Sequence, residues 1–258
     1  MTLFHCEIIR AELFKILIEL LTVNILSYQF QISKTGINLI QPDCIDTQQH
    51  PKKIFDVSLP SKNFSDYEYN YSEPHFTFSV PSNPLTKIVK NIKKRDTVKL
   101  KIDDSKLTLQ ICINHIEQSR EHISYININQ TQYVEYLDLK FNCDNTIILP
   151  TLEFSQSCRD LQNMNSLLKI KCFKNSMSFE TISQDEIHRQ EIKMGKYHHN
   201  DILLYENKYN SEIILSLAKC KKLTEQFFVH IKKDHPICFE FNIGSIGTLK
   251  IFINSYFE

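Results

Sequence analysis

Apolar residues along this chain fall mostly into short alternating runs, the period of strands with one covered face. At four places the spacing widens to that of a helix. The first is 11–22, with Leu13, Phe14, Leu17 and Leu21 on one side. The second opens at Asn83-Pro84, an N-cap followed by proline at the first helical position, and carries Leu85, Ile88, Val89 and Ile92 at i, i+3, i+4 and i+7. The third lies within 149–164: Thr151 is its expected N-cap, Glu153 stands in its first turn, and Phe154, Cys158 and Leu161 form its apolar stripe. Gln156, Arg159 and Asn163 take another face of that helix. The fourth is expected over 217–225, after a strand at 212–216.

Further strands are expected at 1–9, 28–33, 36–40, 54–59, 66–70, 75–80, 97–102, 106–113 and 123–128, with Lys34-Thr35-Gly36 as one of the turns. Others are expected at 141–149, 167–173, 176–181, 191–194, 227–231, 236–243 and 248–253. The run 106–113 alternates cleanly, placing Leu107, Leu109, Ile111 and Ile113 on one face. Residues 129–140 (NQTQYVEYLDLK) lack a firm period and read as an extended linker. The helix starts are about 65 to 72 residues apart, each preceded by a strand and followed by about three. The pattern is a four-fold repeat of one β-α-β-β-β unit, arranged as two pairs: domains 1–128 and 141–258, joined by 129–140. The class is α+β, with antiparallel sheets carrying helices on one face.

A chain of 258 residues with 42% apolar and 23% charged residues can bury a sizeable core. Four glycines, no tryptophan and many Asn, Ile and Lys read as the coding bias of an AT-rich genome. The eight cysteines show no C-x-x-C pair and no Cys/His zinc spacing, so buried reduced thiols are expected. No basic region followed by an apolar core and a small-residue cleavage site stands at the start, so no secretory leader is expected, and the apolar run 13–21 is interrupted by Lys15 and Glu19 and too short to span a bilayer. These features point to a soluble, non-secreted protein.

Lys+Arg and Asp+Glu are equal at 30 each, so only the placement of charge informs on partners. The formal charges of the four helical stretches are zero, plus five (Lys87, Lys90, Lys93, Lys94, Arg95), minus one, and plus two (Lys219, Lys221, Lys222 against Glu225). If the helices share one side of their sheets, that side is basic and suits a phosphate backbone; the competing reading is a set of solvated lysine faces. No aromatic interleaves these lysines, so sequence-independent contact and not base stacking is indicated.

Enzyme signals are weak. Asp103-Asp104 sits where a strand-to-strand turn is expected, and His198-His199-x-Asp201 has no third ligand nearby. Motifs for hydrolases, zinc proteases, P-loops and dinucleotide binding are lacking, and Cys158 lies on an apolar stripe as a core thiol. No metal or other cofactor is expected.

EFSQSCRDL at 153–161 resembles the E-F-x-x-I-C-R-D-L motif in the third helix of sliding clamps of the proliferating cell nuclear antigen type. In the same order, ISKTGINL (32–39) resembles that family's first hairpin, LPSKNFSDY (59–67) its F-x-x-Y stretch, and LTKIVK (85–90) its S-K-I-L-K core. Residues 234–241 and GTLKIFI (247–253) resemble its closing strands.

The resemblance implies a clamp fold of two similar domains, each of two β-α-β-β-β units, with sheets outside and helices inside a ring of three identical chains. That ring encircles duplex DNA as a polymerase processivity factor, without catalysis, and is opened by a clamp loader. The expected setting is the nucleus, or a replication site if the source is viral. Lys15, Lys87, Lys90 and Arg159 match DNA-facing positions, and helix charge adds Lys94, Lys219 and Lys222. The partner groove would use Pro42, Val134, Tyr136 and Pro236, with Asn254, Ser255 and Tyr256 offering backbone contacts to a short partner helix. Strand pairing between 123–128 of one chain and 187–194 of the next would join subunits. The competing reading is a clamp-fold scaffold that forms no ring, a monomer or hetero-oligomer in checkpoint signalling or viral transcription.

Overall fold

A computed structural model describes residues 2–22, 25–43, 51–132, 143–161, 167–182, 189–196 and 201–256. The chain divides into two compact units. The first comprises 1–43, 55–136 and 243–249, and the second 44–54, 137–242 and 250–258.

The first unit holds β1 (Thr2–Ile8), α1 (Ala11–Leu21), β2 (Ser27–Ser33), β3 (Gly36–Pro42) and most of β4 (Lys53–Pro60). It continues through β5 (Asp66–Tyr69), β6 (His75–Pro81), α2 (Ser82–Val89), β7 (Thr97–Asp103), β8 (Thr108–His115), β9 (Arg120–Asn127) and β10 (Asn129–Gln130). An antiparallel sheet runs β5-β1-β7-β8-β9, and a second carries β10-β6-β2-β3-β4. Phe14, Leu17 and Leu21 of α1 and Leu85 and Val89 of α2 are buried with Phe4, Val98, Ile111, Tyr28 and Phe78 from the strands. Each fully buried side chain of this size contributes about 1.5–3 kcal/mol. Where α1 ends and α2 begins, Thr22 Oγ1 lies 2.8 Å from the buried Tyr28 hydroxyl and 3.1 Å from Thr86 Oγ1. The β2–β3 turn requires glycine: Gly36 has φ +147°, and a Cβ there would stand 2.3 Å from Leu59 O.

The second unit holds β11 (Asn145–Pro150), α3 (Thr151–Asp160), β12 (Leu167–Cys172), β13 (Ser176–Ile182), β14 (Arg189–Gly195) and β15 (Tyr205–Asn210). These are followed by α4 (Ser211–Ser216), a 3-10 helix (Leu217–Lys222), β16 (Gln226–Ile231), β17 (Ile237–Ile243) and the end of β18 (Gly247–Ile253). The strands form two antiparallel arrays, β14-β13-β12-β15 and β11-β16-β17-β18. An aromatic cluster fills the core: the Phe154 ring lies 4.9 Å from Phe227 and 5.9 Å from Phe179, and Phe227 stacks on Phe241 at 5.2 Å.

The four-fold order of strand, helix and three strands is present: β1-α1-β2-β3-β4, β6-α2-β7-β8-β9, β11-α3-β12-β13-β14 and β15-α4-β16-β17-β18. Local readings need correction. Residues 212–216, expected as a strand, form α4, because Asn210 Oδ1 accepts the Ile213 N–H at 3.3 Å and caps a helix there. The expected helix over 217–225 is instead the 3-10 continuation. β15 was not anticipated; of its six residues only Tyr209 is buried, so its apolar signal is weak.

Thr151 and Asn83 are not N-caps: Pro150 and Pro81 hold those positions, one and two residues earlier. Leu107 lies outside β8, beyond the turn at Lys106 (φ 57°), and is exposed, while Leu109, Ile111 and Ile113 are buried as expected.

Candidate nucleic-acid interface

The basic stretch 87–95 is only partly helical. Lys87 is in the last turn of α2 and Lys90 closes it, while Lys93, Lys94 and Arg95 lie in the turn beyond, which corrects their assignment to a helix. Three features end the helix there. Lys15 Nζ, on α1, donates to Lys90 O at 2.8 Å and to Ile92 O at 2.9 Å, satisfying acceptors that a helix end leaves unpaired. Arg95 adopts φ 75°, turning the chain back. The buried Asp96 carboxylate then accepts the Lys93 N–H at 2.7 Å and meets His115 Nδ1 at 2.7 Å.

The backbone carrying this basic turn is therefore held from both ends, while Lys87, Lys90, Lys93, Lys94 and Arg95 are exposed. Arg95 also meets Glu117 at 3.3 Å. Lys15 differs from the rest: two of its three ammonium donors are already engaged within the protein.

In the second unit Arg159 is exposed in the last turn of α3, its Nε donating to Ser155 O at 3.3 Å. Gln156 is exposed beside it, and Asn163 lies outside the described residues. Lys219, Lys221 and Lys222 are exposed on the 3-10 helix, not on an α-helix as expected. Thr151 ties α3 to the chain after these lysines: its N–H donates to Glu225 O at 2.9 Å and its hydroxyl to Thr224 O at 2.5 Å. Glu153 Oε2 accepts the Gly195 N–H at 3.2 Å, joining α3 to β14. Nothing in the local sequence signals either tie, because both partners are at least 42 residues away.

Of the expected partner-groove residues, Pro42 ends β3 and Pro236 precedes β17. Asn254 donates its backbone N–H to Lys52 O at 3.0 Å and its side-chain amide to Pro51 O at 2.7 Å, and Tyr256 N–H donates to Lys208 O at 2.8 Å. Ser255 stands between them, half-buried. Val134 and Tyr136 lie outside the described residues. Gln29, not singled out from sequence, anchors the entry to the 129–140 stretch by donating from Nε2 to Gln132 O at 2.8 Å.

Among the described residues β9, with Ile123 and Tyr125 exposed, and β14 are edge strands of their sheets, as are β5, β10, β11 and β15. The expected pairing segment 123–128 falls mostly on β9, and 189–194 falls on β14, with 187–188 outside the described residues.

Among the described residues no three His, Cys, Asp or Glu side chains are grouped to hold a metal ion, and no helix is long and apolar enough to cross a membrane. Asp103 and Asp104 sit at the β7–β8 turn, where Lys106 N–H donates to Asp103 O at 3.0 Å. His198 and His199 lie outside the described residues. Burial pushes the Cys158 thiol up to about 12.

Comparison with protein families matches residues 3–135 to "Proliferating cell nuclear antigen, N-terminal domain" and residues 137–256 to "Proliferating cell nuclear antigen, C-terminal domain". The chain belongs to the proliferating cell nuclear antigen family. It is 21% identical to "Probable DNA polymerase sliding clamp 1" of Paramecium bursaria Chlorella virus 1 over 264 residues, 97% of this chain and 96% of the relative. It is 19% identical to "Probable DNA polymerase sliding clamp" of Autographa californica nuclear polyhedrosis virus, over 78% of this chain and 77% of that one. Its fold matches the crystal structure of Proliferating Cellular Nuclear Antigen from Entamoeba histolytica with TM-score 0.81 at 18% identity, covering all of both chains. It is a divergent clamp of this type.

Proposed function

We propose that this protein is a DNA sliding clamp, a processivity factor that encircles duplex DNA and tethers a DNA polymerase. The observation that carries this reading is the ordered match of both family domains along the chain. Two viral relatives bearing the sliding-clamp name support it and favour a viral replication site, or the nucleus, as its setting. The protein acts by topology and not by turnover. Ring closure prevents escape, while solvent-exposed lysines make phosphate contacts weak enough to slide.

Lys87, Lys90, Lys94, Arg159, Lys219 and Lys222 are the phosphate-facing set, supported by their exposure. Three copies join through the β9 edge of one and the β14 edge of the next, a pairing that satisfies both sets of unpaired backbone groups. A clamp loader opens one such joint. For polymerase and other partners, the docking residues are those named from the sequence: Pro42, Val134, Tyr136, Pro236 and the 254–256 segment.

Mass in solution tests closure: the expected value is three times the 30.4 kDa of one chain. Clamps loaded on nicked circular DNA should be retained and should run off once the circle is cut. A monomer at micromolar concentration that gives no polymerase stimulation on long templates would overturn the ring. The triple variant K87E/K90E/K94E should lower the slope of log affinity against log salt by about three, at unchanged melting temperature. An unchanged slope removes these lysines from the contact.

A further inference from the structure

Among the described cysteines, Cys6, Cys112, Cys158, Cys172, Cys220 and Cys238 are buried and Cys143 is exposed. Burial pushes Cys158, Cys172 and Cys220 up to about 12, where they are inert thiols. Cys143 is displaced the other way, first by a hydrogen bond from Thr146 and then by His230.

The geometry behind this spans three strands of the second unit. Cys143 Sγ lies 3.4 Å from Thr146 Oγ1, which lies 3.0 Å from His230 Nδ1. His230 Nε2 meets Glu240 Oε2 at 2.8 Å. Register makes the constellation: Thr146 on β11 is directly opposite His230 on β16, and Glu240 on β17 is opposite Phe228, one diagonal step from His230. Phe227 and Val229 fill the core from the other face of β16. The titratable and charged groups facing His230 are Cys143 and Glu240, with Lys250 Nζ 3.5 Å from the Glu240 carboxylate. The hydrogen bond to Glu240 raises the His230 imidazole above its ordinary value, and the Thr146 hydroxyl and then His230 favour the thiolate at Cys143.

We propose that Cys143 is a solvent-facing nucleophilic site, activated by His230 and oriented through Glu240, that takes up low-molecular-weight disulfides by thiol–disulfide exchange. The order is thiol, Thr146 hydroxyl, imidazole and carboxylate, so the imidazole acts on the thiol through Thr146. Acyl transfer is disfavoured because the N–H after the nucleophile, at Asp144, is spent on Ile231 O at 3.1 Å and cannot serve an oxyanion. Exchange needs no such donor. The Cys143 thiolate attacks one sulfur of R–S–S–R, a Cys143–S–S–R bond forms as the reagent's S–S bond breaks, and RS⁻ leaves and is protonated by water. Cys143 is oxidised and half of the disulfide reduced, and excess thiol reverses the step. This inference is independent of the clamp reading.

The test uses the full chain with a chromogenic aryl disulfide (dithiobis-nitrobenzoate) and, separately, oxidised glutathione. One fast equivalent per folded chain should be consumed, map to the Cys143 peptide and vanish in C143S. At pH 6.5 an ordinary thiol is only about 1% thiolate. Each unit of pKa lowering multiplies thiolate about tenfold and costs about threefold in nucleophilicity. H230Q should therefore react more slowly than the native protein at pH 6.5, by about threefold for each unit of lowering it removes, and converge with it in strong base, with E240Q changing in the same direction. A fast phase that survives in C143S overturns the assignment. A rate at pH 6.5 that H230Q leaves unchanged overturns activation, since Cys143 would then react by exposure alone.

Discussion

The first unit closes the end of its second helix with a side chain, and the second unit closes the equivalent place with a helix start. At the end of α2, Lys15 of α1 supplies an ammonium to Lys90 O and Ile92 O. After α4 and its 3-10 continuation, Thr151, the first residue of α3, supplies an N–H and a hydroxyl to Glu225 O and Thr224 O. Lys90 O and Ile92 O lie at and just past the end of α2. Thr224 O and Glu225 O lie past the 3-10 helix, where the Thr151 N–H continues the β11–β16 ladder one step beyond Pro150–Gln226. The first spends a cation and the second spends none. Counting positive charge along the sequence therefore overstates what α1 can offer an anion, because Lys15 keeps one ammonium donor.

The comparison can be broken most severely at the second unit's core. F154A removes a ring packed on Phe179, Phe227 and Phe239 and should cost about 3–5 kcal/mol in denaturant unfolding. Loss of the α3 contacts first, seen by amide exchange, would show that the two units unfold separately.

K15M leaves two carbonyls without their charged donor. It should cost about 1–2 kcal/mol, because solvent partly replaces the ammonium, and should speed amide exchange across 90–96. No change in that exchange would mean that Asp96 and His115 hold the turn alone.

T151V keeps the N–H bond and loses only the hydroxyl bond. About 1 kcal/mol is expected, with exchange quickening near 224–225. If T151V costs more than K15M, the neutral closure is the stronger of the two.

The smallest effect is a pH dependence confined to the second unit. His230 is raised from 6.5, chiefly by its bond to Glu240, so its contribution is full below 6.5 and fades as pH rises through the raised value. Glu240 is lowered from 4.5, chiefly by His230, so its contribution is full above 4.5 and fades as pH falls through the depressed value. The melting difference between the native protein and H230Q should peak between about pH 4.5 and 6.5, below about 1 kcal/mol for a partly solvated pair, and shrink in base. A difference that grows in base would contradict this sign.

Strands with one buried face were readable because alternation at 109, 111 and 113 is a local property. β15 was not readable, since YENKYN buries only Tyr209 and its membership depends on pairing with β12. Helix ends were the weakest reading. Thr151 has the chemistry of an N-cap, yet its hydroxyl found a better acceptor 73 residues away. Among the candidate DNA-facing residues, exposure at 87 followed from helical spacing; Lys94 is exposed in the turn beyond α2, and the commitment of Lys15 to a distant backbone was not readable.

The sequence by itself determined the fold class, the β-α-β-β-β order of the first three units and the family, because hydrophobic period and motif order are written along the chain. Tertiary structure alone decided where α2 stops, which lysine is spent as a cap, and which thiol faces solvent beside an imidazole. Each of those outcomes joins groups more than 70 residues apart, and unpaired carbonyls and charges are settled by whatever donor the fold brings within about 3 Å.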